Sequence, residues 1–576
     1  MTIFCFLGED PNIKGRRMLP EKDAFKILFF SLLTSIAFSI CSCASAQYYG
    51  NDGILEKKIN INTHLGYKVY DYNFREEICK SIGKLNVGIV RDYVFVNSSN
   101  TFNDIPNNLN DRAYIFNNVV YNLKKYAPIT QVLGVLHDLK WEIDKDVPLS
   151  TYYELVRKAV KTYDGKTRFI PSDYGKEMSY EIKYWEICNE IDQHIYGIPP
   201  FDSVEKSFEF IKTTYQVIKE TNPDAQVVFP GVANIQSKFI KEIFEYEASD
   251  GKRIWDYFDI FNFHVYTSTA EAIIPYIELV QNYKKKYGWN KPIWLSETGW
   301  TEFYSKDEDI AVNLPKSYLI ALSCGIDKVF QFQFRRYDYD CGVNAFFGIV
   351  RSSLNATYVS LLAGEEPLSK GTGHNHILIK DDTLCIPFIY QGNIKVAKDI
   401  LTKLQKKGLT IEGNDYTIDR ISLIQKDEKN KLQVKFLHNQ ESKGKIVLPS
   451  ELFKDCSIYD VIKISFKDYK RNPTWKKEDR TESYYSLKEL IKRLPDGSSD
   501  LSLSVINKTY VCRWFTPKGK VIMAMWSLNN GHIKFTSQKS INAVDYKGNK
   551  IKISPNGVTL GKGIIYISGN YEFDIQ

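Results

Sequence analysis

Histidine and cysteine are scarce in this chain, with 8 and 10 among 576 residues. No H-E-x-x-H run and no C-x-x-C pair occurs, so a zinc protease or zinc ribbon is not expected, and neither metal nor cofactor is called for. Seven cysteines follow Cys43 (Cys79, Cys188, Cys324, Cys341, Cys385, Cys456 and Cys512). They are scattered, and an odd number leaves at least one thiol free, so no disulfide framework is assigned. A basic block is also lacking. The net charge of +7 is spread along the chain, which gives no footing for nucleic-acid binding. Long apolar runs are absent except at the amino terminus, which excludes a multi-span membrane protein. No internal repeat or low-complexity linker is evident.

What is present is the composition of a soluble globular chain, 43% hydrophobic and 25% charged, long enough for two or three domains. Aromatic residues make up 14%, with 38 tyrosines; such rings suit both cores and sugar faces.

The single long apolar run, Phe25 to Ala46, has Arg16, Arg17, Lys22 and Lys26 at its amino side and reads as an export signal covering residues 1–46. Ala44-Ser45-Ala46 before Gln47 fits a small-x-small cleavage site. Ile40-Cys41-Ser42-Cys43 resembles a bacterial lipoprotein box with Cys43 as the lipidated residue. Both ends stay open, as does a plain amino-terminal anchor helix, and Met18 suits such a signal better than Met1 as a start. The expected location is the bacterial periplasm, outer surface or extracellular space, with membrane contact only through a lipid on Cys43.

From about residue 58 short apolar strands alternate with longer helical patterns. Eight strands are expected: Lys58 to His64, Val87 to Val94, Ile129 to His137, Ile182 to Glu190, Gln226 to Pro230, Ile260 to Tyr266, Ile293 to Glu297 and Lys328 to Phe334. Helical patterns such as Phe74 to Leu85, Ala113 to Tyr126, Val204 to Thr221, Ile235 to Ala248, Glu271 to Tyr287 and Ala311 to Ser323 separate them. This is the signature of an α/β protein with a (β/α)8 TIM barrel, placed at residues 50–370. An open doubly wound sheet is the alternative, weakened because no glycine-rich phosphate turn follows the first strand.

In a barrel the active site forms at the carboxyl ends of the strands. Two apolar strands there run into glutamate: Tyr184-Trp185-Glu186-Ile187-Cys188-Asn189-Glu190 and Pro292-Ile293-Trp294-Leu295-Ser296-Glu297-Thr298-Gly299-Trp300. Other polar strand ends are His64, Arg91, His137, His264 and Tyr266. Alternation along the fourth strand puts Glu186 on the side of Glu190, inside the barrel, where a charge needs a partner. Arg91 is the candidate, so it is expected to serve structure or catalysis.

The runs W-E-x-x-N-E, F-H-x-Y and W-L-S-E-T-G-W together resemble clan A of the glycoside hydrolases, family 39 and its relatives in particular. The resemblance covers residues 55–365, including Phe347-Gly348-Ile349-Val350 and Leu354-Asn355-Ala356-Thr357-Tyr358, which are similar to that group's run into the last barrel helix. It implies Glu190 as general acid/base, Glu297 as nucleophile, Asn189 as the holder of a sugar hydroxyl, and His264 and Tyr266 as orienting groups. His137 and Trp300 join the substrate-binding candidates. That group brings a tryptophan on the eighth strand under the sugar, whereas this chain reads Gln331-Phe332-Gln333-Phe334; Phe334 is the expected substitute.

Retention at a glycosidic carbon needs one protonated and one ionised carboxyl about 5 to 5.5 Å apart. An ionised Glu297 is expected to raise the pKa of Glu190 by like-charge repulsion. The reading is therefore an exported retaining glycosidase acting on oligo- or polysaccharide. A carbohydrate-binding surface protein on a barrel scaffold is the rival. Residues 371–576 form a second, all-β region, ending in a small β-sandwich at Ile541 to Gln576. Helical patterns at Ala397 to Lys407 and Tyr485 to Arg493 interrupt it.

Overall fold

The computed structural model describes residues 47–575 except 52, 67–74, 96–111, 138–147, 195–202, 303–304, 336–346, 355–357, 364–365, 368–375, 379–382, 388–393, 427–431, 458–460, 468–474, 537–540, 555–556 and 570. The expected export signal, residues 1–46, lies outside this set. Among the described residues no helix is long and apolar enough to cross a membrane.

Eight parallel strands form one sheet: β1 (Ile59–Asn62), β2 (Ile89–Phe95), β3 (Gln131–His137), β4 (Tyr184–Glu186), β5 (Gln226–Val228), β6 (Phe261–His264), β7 (Ile293–Thr298) and β8 (Lys328–Gln331). Each expected strand is found, shorter than its apolar run except β7, which extends to Thr298. The sheet closes between β5 and β6 through a parallel bridge, Val228 with Ile260, and the bond from Phe229 N to Ile260 O at 2.8 Å. This is the (β/α)8 barrel.

Helices α1 (Arg75–Leu85), α2 (Arg112–Tyr126), α3 (Leu149–Thr162), α4 (Val204–Thr221), α5 (Lys238–Glu245), α6 (Ile274–Tyr287) and α7 (Asp307–Ser323) alternate with the strands. In α3 the buried set Tyr152, Leu155, Val156, Ala159 and Val160 recurs at three and four residues, the stripe that packs a helix on a sheet. Ser203 and Ser237 cap α4 and α5 by accepting from Lys206 N and Ile240 N, which satisfies a free amide of the first turn.

The lower half of the barrel interior is mostly apolar: Ile89, Leu133, Val228, Ile260, Trp294 and Phe330 pack together, with Tyr184 against them and the buried Asn60 and Asn262 level with Phe330 and Trp294. Burying each such side chain contributes roughly 1.5–3 kcal/mol. The same strands carry Asn62, Arg91, Glu186 and His264 nearer their carboxyl ends, all buried. The polar centre thus rests on a largely apolar floor.

After β8 the run likened to the approach to a last barrel helix leads, where described, into strands. Val350–Leu354 is a strand antiparallel to Trp475–Arg480, and Tyr358–Ala363 pairs with the long strand Leu409–Lys426 in an eight-stranded sheet. The expected boundary at residue 370 therefore falls within this sheet. The helix that packs beside α7 is α8 (Glu482–Arg493). Its first turn is held by Asp307, which accepts from Glu482 N at 2.7 Å and Ser483 Oγ at 2.7 Å. Tyr484, Leu487 and Leu490 form its buried face.

A seven-stranded antiparallel sheet follows. Its edge is the first described strand of the chain, Gln47–Asn51, paired with Ser499–Ile506. A three-stranded sheet faces it across a core of Val511, Met523, Met525, Ile533, Phe535 and Ile567; the sandwich expected at Ile541 to Gln576 is thus larger, beginning at Ser499 and taking in Gln47–Asn51. Trp526 ties it to the barrel, its indole donating to Glu271 Oε1 at 2.8 Å beside Lys316 Nζ at 3.0 Å.

Candidate active site

The site is built on Arg91. Its Nε and Nη2 each reach a Glu186 carboxylate oxygen at 2.7 Å, the partner that Glu186 required. The same guanidinium donates from Nη1 to Glu297 Oε1 at 2.7 Å and Asn62 Oδ1 at 2.9 Å, and from Nη2 to Asn189 Oδ1 at 2.7 Å. Structural and site roles are thus combined in one side chain. Asn62, a residue sequence reading missed, is fixed in turn by donating to Ser296 O at 2.8 Å.

Glu297 reaches this cluster by an irregularity in β7. Trp294 faces the barrel floor, so strict alternation would turn Ser296 inward and Glu297 outward. The register shifts between Leu295 and Thr298 on the β8 side and between Phe263 and His264 on the β6 side. Such a bulge re-aims a side chain, and Glu297 lies opposite His264 with its carboxylate inside. Its second oxygen accepts from Tyr266 Oη at 2.6 Å. Burial first, and Glu297 next, hold the Tyr266 phenol well above its usual range, so it remains a donor.

Glu190 sits just past β4 with a φ of 49°. A left-handed backbone at a non-glycine residue costs on the order of 1–3 kcal/mol and clusters at functional sites. Its carboxylate meets His264 Nδ1 at 3.1 Å, and the same nitrogen lies 3.6 Å from Glu297 Oε2. One oxygen of each glutamate and an imidazole nitrogen all lie within 4.8 Å of one another, and the three residues are buried.

The electrostatics correct one expectation. Burial pushes the Glu190 carboxyl up, but the hydrogen bond and charge of His264 outweigh it, and the net direction is down. Burial likewise works against the His264 imidazolium, yet Glu297 and Glu190 outweigh that, and its pKa lies above 6.5. Repulsion from Glu297 does not govern Glu190, because His264 Nδ1 contacts both carboxylates. The proton belongs to the Glu190–His264 contact, written either as imidazolium with carboxylate or as imidazole with carboxylic acid.

The other candidates divide. Phe334 and Trp300 are buried in the main apolar core, and Trp300 Nε1 has no acceptor among the described residues; neither ring is a platform. Phe332, also buried, is edge-on to Tyr266 at 6.3 Å, Phe347 at 5.5 Å and His64 at 5.7 Å. Phe334, the expected substitute, is carried into the packing because the chain leaves the barrel after Gln331. His64 is driven down to about 3 by burial and by Arg91, so it is neutral. His137 ends β3 opposite Phe95; its side chain lies outside the described residues. Asn189 Oδ1 is taken by Arg91, and its amide nitrogen has no hydrogen bond among the described residues.

Glu190, His264 and Glu297 are donors of a type that binds zinc. Both oxygens of Glu297 already accept from Arg91 and Tyr266, however, and the guanidinium charge 2.7 Å away opposes a cation. The arrangement favours a hydrogen-bonded acid pair.

No family model and no curated protein matches this chain. A solved family 39 glycoside hydrolase from the gut symbiont Bacteroides cellulosilyticus WH2 is similar over 90% of this chain and 81% of its own, at 12% identity and a TM-score of 0.53. A GH30 endoxylanase from Clostridium papyrosolvens C71 aligns over 91% of this chain and 100% of its own, at 10% identity and a TM-score of 0.45. The catalytic domain of GH30 xylanase C from Talaromyces cellulolyticus aligns over 90% and 99%, at 8% identity and a TM-score of 0.44. The first likeness shows a shared fold.

Proposed function

We propose that this chain is a retaining glycoside hydrolase, exported from a bacterial cell, that cleaves oligo- or polysaccharide by double displacement through Glu190 and Glu297. The observation that carries the reading is the pair itself: two buried carboxylates from β4 and β7 with oxygens within 4.8 Å. That gap suits direct attack on the sugar and is too short for the intervening water an inverting enzyme needs.

In the first step a Glu297 oxygen attacks the anomeric carbon, the bond from that carbon to the leaving oxygen breaks, and the leaving oxygen takes the proton of the Glu190–His264 pair. Arg91 and Tyr266 hold Glu297 aimed by their hydrogen bonds. In the second, Glu190 takes a proton from water, the water oxygen bonds to the anomeric carbon, and the ester to Glu297 breaks. Asn189, held by Arg91, offers its amide nitrogen to a sugar hydroxyl.

Glu190→Ala and Glu297→Ala test the division of roles. The first should slow substrates with poor leaving groups most and gain azide rescue with retained configuration; the second should stop all substrates and, if rescued, give inverted product. Opposite stereochemistry would exchange the roles. Saccharide binding without turnover in the native protein would favour the non-catalytic alternative. For export, mass spectrometry of the native protein should find the chain starting at Cys43, lipidated, or at Gln47; a cytoplasmic protein retaining residues 1–46 would contradict it.

A further inference from the structure

Asp192 lies two residues beyond Glu190, and its carboxylate accepts from two consecutive backbone amides of the turn after β5, Ala233 N at 2.9 Å through Oδ1 and Asn234 N at 2.8 Å through Oδ2. The same turn is tied to the rest of the site at each residue. Gly231 bridges to Asn189, and its amide donates toward Cys188 O and Glu186 Oε1, both at 3.2 Å. Val232 O accepts from His264 N at 2.8 Å. No room is left, since a Cβ on Gly231 would stand 2.4 Å from His264 Nε2. Segment 231–234 is therefore wedged between the turn that carries Glu190 and the strand end that carries His264.

Glu190 needs such a clamp, because its φ of 49° is not one a glutamate keeps unaided. Asp192 supplies it without pairing to a cation among the described residues: its carboxylate is used on two backbone amides. Burial pushes its carboxyl up to about 6, with the two amide bonds opposing.

We propose that Asp192 is a positioning residue for proton delivery: it locks the turn after β5 against the strained Glu190 turn and so keeps the Glu190 carboxylate on His264 Nδ1. The inference rests on the acid/base assignment of Glu190. It differs from a general structural role in one respect, that its loss should hurt proton donation and spare nucleophilic attack by Glu297.

The test uses Asp192→Ala and Asp192→Asn in the full chain, assayed on the 2,4-dinitrophenyl and methyl glycosides of the sugar it cleaves. With Asp192→Ala, kcat/KM on the methyl glycoside should fall roughly 10- to 100-fold and kcat/KM on the dinitrophenyl glycoside less than about threefold, because kcat/KM reports the first step and only the poor leaving group needs the proton there. Asp192→Asn keeps one acceptor and should lie between Asp192→Ala and the native protein. Equal losses on the two substrates, or none, would overturn the proposal. If Asp192→Ala does not fold, Asp192→Asn decides on the same criterion. Glu190→Ala, run in parallel, separates the two levels: no leaving-group dependence there removes the acid/base assignment itself, whereas dependence there without dependence in the Asp192 variants removes this inference alone.

Discussion

Arg91 holds Glu186 by two hydrogen bonds of 2.7 Å and, through its remaining terminal nitrogen, holds Glu297 at 2.7 Å. One guanidinium thus neutralises a purely structural carboxylate and aims a reactive one. The two duties separate by mutation. Arg91→Met strands both carboxylates and should cost about 3–5 kcal/mol of stability, the usual loss when one partner of a buried pair is removed. Arg91→Met combined with Glu186→Met should regain much of that in urea unfolding but remain inactive, because Glu297 still lacks its holder. Recovery of activity in the double variant would reduce Arg91 to a structural residue.

Tyr266→Phe removes a single hydrogen bond, 2.6 Å to Glu297 Oε2, and little volume. A bond to a charged group is worth about 1.5–3 kcal/mol, so kcat should fall roughly 10- to 100-fold and stability by no more than about that amount. Steady-state kinetics alongside a thermal melt checks it; an unaffected kcat would mean that Arg91 alone positions Glu297.

The pH profile should reflect His264. Its pKa lies above 6.5 in the folded protein, so the shared proton is fully present below that value and is lost as pH rises through the raised pKa. Activity on a poor leaving group should hold through pH 6.5 and decline on the alkaline side. His264→Asn removes the imidazole and should move that limb. A profile already falling between pH 5 and 6.5 would contradict the direction of the shift.

Gly231→Ala should be severe for its size. The new methyl would meet His264 Nε2 at 2.4 Å and Glu186 Oε1 at 2.9 Å, while a Cβ on Gly561 meets nothing within 4 Å. Overpacking of this kind costs about 1–3 kcal/mol. Gly231→Ala should lower both the melting temperature and kcat, with Gly561→Ala as the neutral control; equal behaviour of the two would show that the turn yields.

The eight strands of the barrel and the glutamates that end two of them were legible in the sequence, because strand and helix periodicities are local and a polar residue at the end of an apolar run shows its position without help. The need of Glu186 for a partner was legible for the same reason: burial of a charge dictates one, and Arg91 was the cation at the matching strand end. What crosses elements was not. The register shift in β7 turns Glu297 inward against simple alternation, and only pairing with β6 and β8 specifies it. His264 reverses the direction of the Glu190 shift because three strands bring Glu190, His264 and Glu297 together, whereas sequence offers the two glutamates and their repulsion alone. Phe334 is drawn into the core because the chain turns out of the barrel after Gln331. The helix beside α7 comes from residues 482–493 and the first strand joins the last sheet, since hydrophobic faces are satisfied by whichever segment reaches them, and contact over hundreds of residues leaves no local mark.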